Sequence, residues 1–139
     1  MKIKKKVCLI LGGSGLVGNE ISQKFIKNNY YLIIADIKKP KKKNYDLFIK
    51  SNLINPKEIK KVCKILNQYK IDTIINSVRY AISANNLKKE VDTFENIMAY
   101  VKINLSLFFY LKKKIIKNKT EFINISSTNS ISISQQPII

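Results

Sequence analysis

The sequence of 139 residues contains no histidine and only two cysteines. Without histidine, the chain cannot build a Ser-His-Asp triad, a histidine-ligated zinc site or a histidine general base. Cys8 and Cys63 set no metal-ligand spacing, so we predict that the chain holds no metal and that both residues belong to the core. These absences exclude several classes of hydrolase and metalloprotein.

Acidic residues and arginine are also scarce. The 26 basic residues outnumber 9 acidic ones, which gives a formal net charge of +17, yet Arg79 is the single arginine. Recognition of nucleic acids relies strongly on the guanidinium group of arginine, which is nearly absent here. The abundant residues Lys, Ile and Asn, in addition, all have A/T-rich codons. We therefore attribute the charge mainly to a biased base composition and predict no specific nucleic-acid partner. A lysine-rich nucleic-acid binder is the less favoured alternative.

Long hydrophobic runs are absent. The run after the basic start covers only Val7–Leu11, and Val101–Leu111 is interrupted by Lys102 and Asn104. Both are too short for a signal-peptide core or a membrane span, so we expect a cytoplasmic protein that does not bind membranes. The hydrophobic content of 45% and the length predict one globular domain over residues 1–139.

Strand and helix signals alternate along the chain. Short apolar runs predict buried strands, and apolar residues at helical spacing predict helices. The predicted strands are Val7–Leu11, Tyr30–Ala35, Leu47–Lys50, Ile71–Asn76 and Glu121–Ser126, and the predicted helices are Leu16–Ile26, one from Pro56 onward, and Val91–Lys117. At the second helix, Asn55 is the expected N-cap and Glu58 is expected to reach back to the cap amide. This alternation predicts an α/β fold of the Rossmann type: a doubly wound parallel sheet of about five strands with helices on both faces.

All 4 glycines lie within the segment 12–18, between the first predicted strand and the first predicted helix. In this context Gly12 permits a tight turn, Gly15 lets a pyrophosphate approach the backbone, and Gly18 lets the helix pack closely on the strand. The amides at the start of the helix, with Ser14 and Leu16 beside them, complete the predicted anion site. The alternative is a tight strand-to-helix turn with no ligand.

Asp36 ends the second predicted strand. A carboxylate at this place can accept hydrogen bonds from both hydroxyls of an adenosine ribose, and it repels a 2′-phosphate. Ile37 follows directly and brings no charge. The sequence therefore favours NAD over NADP, with an ordinary Asp at a strand end as the alternative.

Several segments, taken in order, resemble the short-chain dehydrogenase/reductase family. The glycine segment is similar to the family's TGxxGxxG motif, with Leu11 in place of the Thr. Asn52 and Leu53 lie in a segment similar to the one that contacts adenine, and Asn76 matches the first residue of the family's Asn-Asn-Ala-Gly run. The resemblance extends over essentially the whole chain and implies a nicotinamide dinucleotide cofactor.

Two further segments resemble the catalytic part of the family. Asn104 lies in a segment similar to the helix that carries a proton-relay Asn, and Ser127 matches the Ser that orients the substrate carbonyl. The resemblance implies hydride transfer between the nicotinamide and a carbonyl or alcohol group of a small molecule. The segments around 76–80 and Ser127 are similar to members that act on sugars. The resemblance also implies a homo-oligomer that forms through the long helix near 91–117 if the protein is complete.

The family's Tyr-x-x-x-Lys pair is not found after Ser127, because its first expected position is residue 139 or later. Tyr110 and Lys114 have the required spacing, but they precede Ser127, and lysine is so common here that the match is expected by chance. We therefore expect a cofactor-binding domain that is incomplete at its C-terminus and has no turnover by itself. The alternative is a non-catalytic module that binds dinucleotides or a partner.

Overall fold

Five parallel strands form one sheet in the computed structural model, which describes residues 5–78, 98, 101–116 and 119–125. The strands are β1 (Val7–Leu11), β2 (Tyr31–Asp36), β3 (Leu47–Lys50), β4 (Thr73–Asn76) and β5 (Glu121–Asn124). Their order across the sheet is β3-β2-β1-β4-β5, and all neighbours are parallel. The direction of winding therefore reverses between β1 and β4, and the predicted doubly wound parallel sheet is confirmed.

Helices cover both faces of this sheet. The helix α1 (Leu16–Lys27) packs its Ile21 and Phe25 against a cluster that contains Cys8 and Ile10 of β1. The helices α2 (Pro56–Leu66) and α3 (Leu107–Lys114) pack on the opposite face, over a larger cluster that contains Leu9 and Leu11 of β1. Because alternate residues of β1 enter the two clusters, this strand is buried on both sides, as its continuous apolar run predicts.

The third predicted helix differs from the expected Val91–Lys117. In the described part of that range, the segment Lys102–Ser106 forms a turn of π-helix, and α3 follows it and ends at Lys114. A π turn is a local change of hydrogen bonding within an otherwise helical segment, and apolar spacing alone does not indicate it. Residues 91–97, 99–100 and 117 lie outside the described residues.

Several carboxylates bind backbone N–H groups and so fix the starts of strands. Asp72 accepts from the amide of Val7 at 2.8 Å and donates its own N–H to the carbonyl of Val7 at 2.9 Å. Asp46 likewise accepts from the amide of Leu32 at 2.7 Å. Asp72 thus clamps the start of β1, and β4 begins one residue after it, at Thr73, later than the predicted Ile71.

The start of α2 confirms one predicted cap and corrects the other. The side-chain oxygen of Asn55 accepts from the amide of Lys57 at 2.9 Å, as expected of an N-cap. Glu58 does not reach the amide of Asn55, which donates to the carbonyl of Asn52 instead. The Glu58 carboxylate binds the amide of Asn52 at 2.6 Å, because the turn before the helix brings that N–H closer.

Both cysteines are free and buried, as predicted. Burial raises the pKa of Cys8 to about 12. Burial also raises the pKa of Cys63, although the positive charge of Lys114 opposes that shift. Among the described residues, no helix is long and apolar enough to cross a membrane.

We expect neither thiol to react with a disulfide reagent such as Ellman's reagent in the folded protein near pH 8, because the thiolate is the reactive form. Both should react at once when the chain is unfolded in guanidinium chloride, which provides the control. Absorbance of the released thiolate measures the reaction. Rapid labelling of Cys8 in the folded chain would contradict its burial at the centre of the sheet.

Candidate functional site

The candidate site lies at the carboxyl ends of β1 and β4, where the winding of the sheet reverses. Ligands of open α/β sheets bind in the crevice that forms at such a reversal. The residue after β4, Ser77, joins the two strands here: its hydroxyl lies 2.9 Å from the carbonyl oxygen of Leu11 and 3.1 Å from that of Gly12. The turn that follows β1 is thus held directly against the end of β4.

Three of the four glycines are required by the packing of the chain itself. Gly12 has a φ of +76°, and a Cβ there would lie 2.9 Å from backbone atoms of Ser77 and Val78. A Cβ on Gly13 would lie 2.7 Å from the side chain of Ile34, and one on Gly18 would lie 2.4 Å from the carbonyl oxygen of Gly12. No side chain fits at these positions without a shift of the surrounding atoms.

Gly15 differs from the other three glycines. Among the described residues, a Cβ on Gly15 would have only one neighbour within 4 Å, the carbonyl oxygen of Gly12 at the ordinary contact distance of 3.7 Å. Gly15 is the N-cap of α1, has extended backbone angles and gives the helix no side-chain cap. Leu16 beside it is 91% exposed. The start of α1 is therefore open, and the residues present fit an anionic group that approaches the backbone closely.

Asp36 connects the glycine turn to the end of β2. Its Oδ2 accepts from the amide of Ser14 at 2.9 Å, and its Oδ1 accepts from the amide of Lys38 at 3.3 Å. The Ser14 hydroxyl in turn donates to the carbonyl of Lys38. The structure thus brings Ser14 and Asp36 together and leaves Ile37, the next residue along the chain, exposed at the same edge.

The end of β3 adjoins this edge. The amide of Ser51 donates to the carbonyl of Asp36 at 2.9 Å, while its hydroxyl is buried and has no hydrogen-bond partner among the residues that the structure describes. A buried hydroxyl without a partner costs free energy, so its presence in a folded protein calls for an explanation. The side-chain oxygen of Asn52 accepts from the amide of Ile54 at 3.1 Å, and the side chain of Leu53 lies in the core. Leu53 can therefore face a ligand with its backbone but not with its side chain.

Three asparagines meet at the ends of β4 and β5 and at the π turn. The buried Asn76 donates from Nδ2 to the Oδ1 of Asn124 at 2.8 Å. Asn124 donates from Nδ2 to the Oδ1 of Asn104 at 3.3 Å. The predicted residues Asn76 and Asn104 are therefore linked through Asn124, which the sequence analysis did not assign to the site. A polar residue at the last position of β5, paired with Asn76 in the sheet, is the signal that could have identified it.

Two other candidates are not part of this arrangement. Ser127 lies outside the described residues. Tyr110 and Lys114 line a groove of about 530 Å³ between α2 and α3, together with Lys64 and other residues of the second half of α2. That half of α2 leads to the start of β4, so this groove lies away from the carboxyl ends of the strands. The described residues hold no group of three Cys, Asp or Glu side chains that could bind a metal.

Comparison with known proteins agrees with this geometry. The model of the NAD dependent epimerase/dehydratase family matches residues 8–137. A 3-oxoacyl-(acyl-carrier-protein) reductase of Buchnera aphidicola subsp. Schizaphis graminum is 30% identical over 131 residues, which are 85% of this chain and 51% of that protein. The chain thus spans about half the length of the curated relative that it matches.

Solved structures of short-chain dehydrogenases have the same fold. An NAD⁺-bound short-chain dehydrogenase of Leptospira borgpetersenii superposes with a TM-score of 0.77 at 23% identity, over 96% of this chain and 56% of that one. The aldohexose dehydrogenase of Thermoplasma acidophilum gives a TM-score of 0.75 at 23% identity, over 96% and 53% of the two chains. The chain therefore belongs to the NAD dependent epimerase/dehydratase family, and it has the short-chain dehydrogenase/reductase fold that its motifs predict.

Proposed function

We propose that this chain binds NAD at the glycine turn and forms the cofactor-binding part of a short-chain dehydrogenase/reductase. The observation that carries the proposal is the contrast between Gly15 and the other glycines. Packing within the chain accounts for Gly12, Gly13 and Gly18, whereas nothing in the part of the chain that the structure describes prevents a side chain at position 15. A ligand that approaches the backbone there supplies the missing reason.

Most of the predicted cofactor-binding residues have a place in this proposal. The backbone of Gly12–Gly18 and the open start of α1 hold the pyrophosphate. Asp36 accepts from the ribose hydroxyls, and Ser14 keeps its carboxylate in position through the 2.9 Å hydrogen bond. The exposed Ile37, the Asn52 side chain and the Leu53 backbone border the adenine. When bound, the nicotinamide accepts or delivers the hydride.

The proposed reaction converts a carbonyl or alcohol group of a small molecule, and a sugar derivative is the substrate class that we would test first. The dehydrogenase of Thermoplasma acidophilum is named for aldohexoses, which supports that choice. Asn104 and Ser127 are the proposed reaction residues within the sequence. Because no Tyr follows Ser127 in these 139 residues, the proposal assigns cofactor binding, and not turnover, to this stretch of sequence.

The substitution Gly15→Ala should abolish or strongly weaken NAD binding without unfolding the chain. The added methyl group has room within the protein but takes the space that the pyrophosphate needs. We expect the dissociation constant for NAD to rise at least about tenfold, equivalent to about 1.4 kcal/mol. Isothermal titration calorimetry measures the affinity, and circular dichroism checks the fold.

Gly18→Ala is the matched control for this experiment. Its added Cβ would lie 2.4 Å from the carbonyl oxygen of Gly12. The expected effect of this variant is therefore a lower melting temperature, and not the loss of a contact with the ligand. Undiminished NAD binding by folded Gly15→Ala, or no NAD binding by the unsubstituted folded chain, would refute the proposed function.

The choice between NAD and NADP depends on the charge of Asp36. We expect the chain to bind NAD more tightly than NADP, and we expect Asp36→Asn to narrow that difference. The substitution removes the charge that repels a 2′-phosphate but keeps an oxygen for the amide of Ser14. Glu121→Gln, which removes the same charge from an exposed residue at the start of β5, is the control. An equal affinity ratio in Asp36→Asn and in the unsubstituted chain would exclude this role.

We further propose that a second copy of the chain covers the outer side of the helical segment 101–114. Leu105 and Phe109 are 55% and 62% exposed there, and their spacing places them on one face. Phe109→Glu should therefore shift the protein to a smaller species in size-exclusion chromatography with light scattering. Ile65→Glu on α2, at a site that is 39% exposed, should not. A monomeric unsubstituted protein would exclude this contact.

A further inference from the structure

The side-chain hydrogen bonds of the three asparagines run in one direction, from Asn76 to Asn124 and from Asn124 to Asn104. A backbone N–H group determines that direction. The amide N–H of Val78 lies 3.2 Å from the Oδ1 of Asn76. A backbone N–H can only donate, so that atom of Asn76 must be the oxygen, and the Nδ2 of Asn76 must face Asn124. The N–H of Val78 therefore determines which end of the Asn76 side-chain amide is the oxygen.

The orientation of the Asn76 amide determines the orientations of the Asn124 and Asn104 amides in turn. Asn124 must present Oδ1 to the donating Nδ2 of Asn76 at 2.8 Å, and its own Nδ2 then faces Asn104. Asn104 must present Oδ1 to that group, which lies 3.3 Å away. The Nδ2 of Asn104 is therefore on the side of its amide that faces away from β5.

Asn124 is well placed for this task because its backbone is fixed. It is the last residue of β5, it is paired with Asn76 in the sheet, and the amide of the following residue, Ile125, donates to the carbonyl of Asn76 at 2.9 Å. Asn104, in contrast, lies in the π turn, where the regular pattern of helical hydrogen bonds changes. The strand thus offers a donor on a fixed backbone to a residue of a less regular segment.

We propose that Asn124 is a positioning residue, which fixes the amide of Asn104 with its oxygen toward β5 and its nitrogen away from β5. Asn104 then acts as a hydrogen-bond donor on the side away from the sheet. This inference rests on the proposed function only for the participation of Asn104 in the reaction. The orientation itself can be tested without cofactor or substrate.

The substitution Asn124→Asp separates the two hydrogen bonds of residue 124. The new carboxylate still accepts from Asn76, but it has no hydrogen for the Oδ1 of Asn104 and repels that oxygen. We expect the Asn104 amide to turn over and donate its Nδ2 hydrogens to the carboxylate. In ¹H–¹⁵N spectra of the side-chain amides, the Asn104 signals should then move downfield and exchange about tenfold more slowly with solvent, while those of Asn76 change little.

Two further variants complete the test. Gln68→Glu makes the same amide-to-carboxylate change on the exposed surface of the loop after α2 and should leave the Asn104 signals in place. Asn104→Ala removes the acceptor, so the Nδ2 hydrogens of Asn124 should exchange about tenfold faster while those of Asn76 keep their protection. This second variant decides the question if Asn124→Asp does not fold.

Unchanged Asn104 signals in folded Asn124→Asp would overturn the proposal, as would unchanged exchange of the Asn124 hydrogens in Asn104→Ala. Equal changes in Gln68→Glu would also overturn it, because they would show a general effect of charge. Titration of the unsubstituted chain with NAD gives an independent result. Loss of NAD binding with the expected amide pattern would refute the proposed function and leave the positioning of Asn104 intact.

Discussion

The close approach of backbone to backbone at the end of β1 is the constraint on which the rest of the structure depends. A Cβ on Gly18 would come within 2.4 Å of the carbonyl oxygen of Gly12, and a Cβ on Gly12 would come within 2.9 Å of the backbone of Ser77. α1, β1 and β4 can meet only because these side chains are absent. The crevice at the sheet reversal, the open start of α1 and the contact between Ser14 and Asp36 all follow from this arrangement.

Much of this architecture could be predicted because it depends on local patterns. A continuous apolar run identified β1 with its observed bounds, since a strand that is covered on both faces needs such a run, and the short strand β3 also has its predicted bounds. The position of Asp36 beside the glycine turn also followed, because neighbouring parallel strands bring their carboxyl ends to the same edge. Asn55 was recognised as a cap from its place before a proline.

The remaining features depend on partners that are distant in sequence or on small changes of geometry. Asn76 and Asn124 are 48 residues apart, and no local pattern indicates that their amides meet. The π turn around Asn104 is a local change of hydrogen bonding, which the apolar residues of the segment do not reveal. The carboxylate of Glu58 binds the amide of Asn52 and not that of Asn55, and this depends on the path of the turn before α2. Such choices are made by tertiary structure.

The carboxylates that clamp the backbone have a consequence for the kinetics of association. Asp36, Asp46 and Asp72 direct their oxygens to main-chain amides, and Glu58 does the same. These carboxylates are held by main-chain amides, and the 9 acidic residues balance only part of the charge of 26 basic ones, so a formal net charge of +17 is left for ions in solution to screen. Such a surface draws anions from a distance of about one Debye length, roughly 8 Å at physiological ionic strength. Lysines that reflect the base composition of a gene would therefore still speed the capture of an anionic ligand, and added salt would slow it.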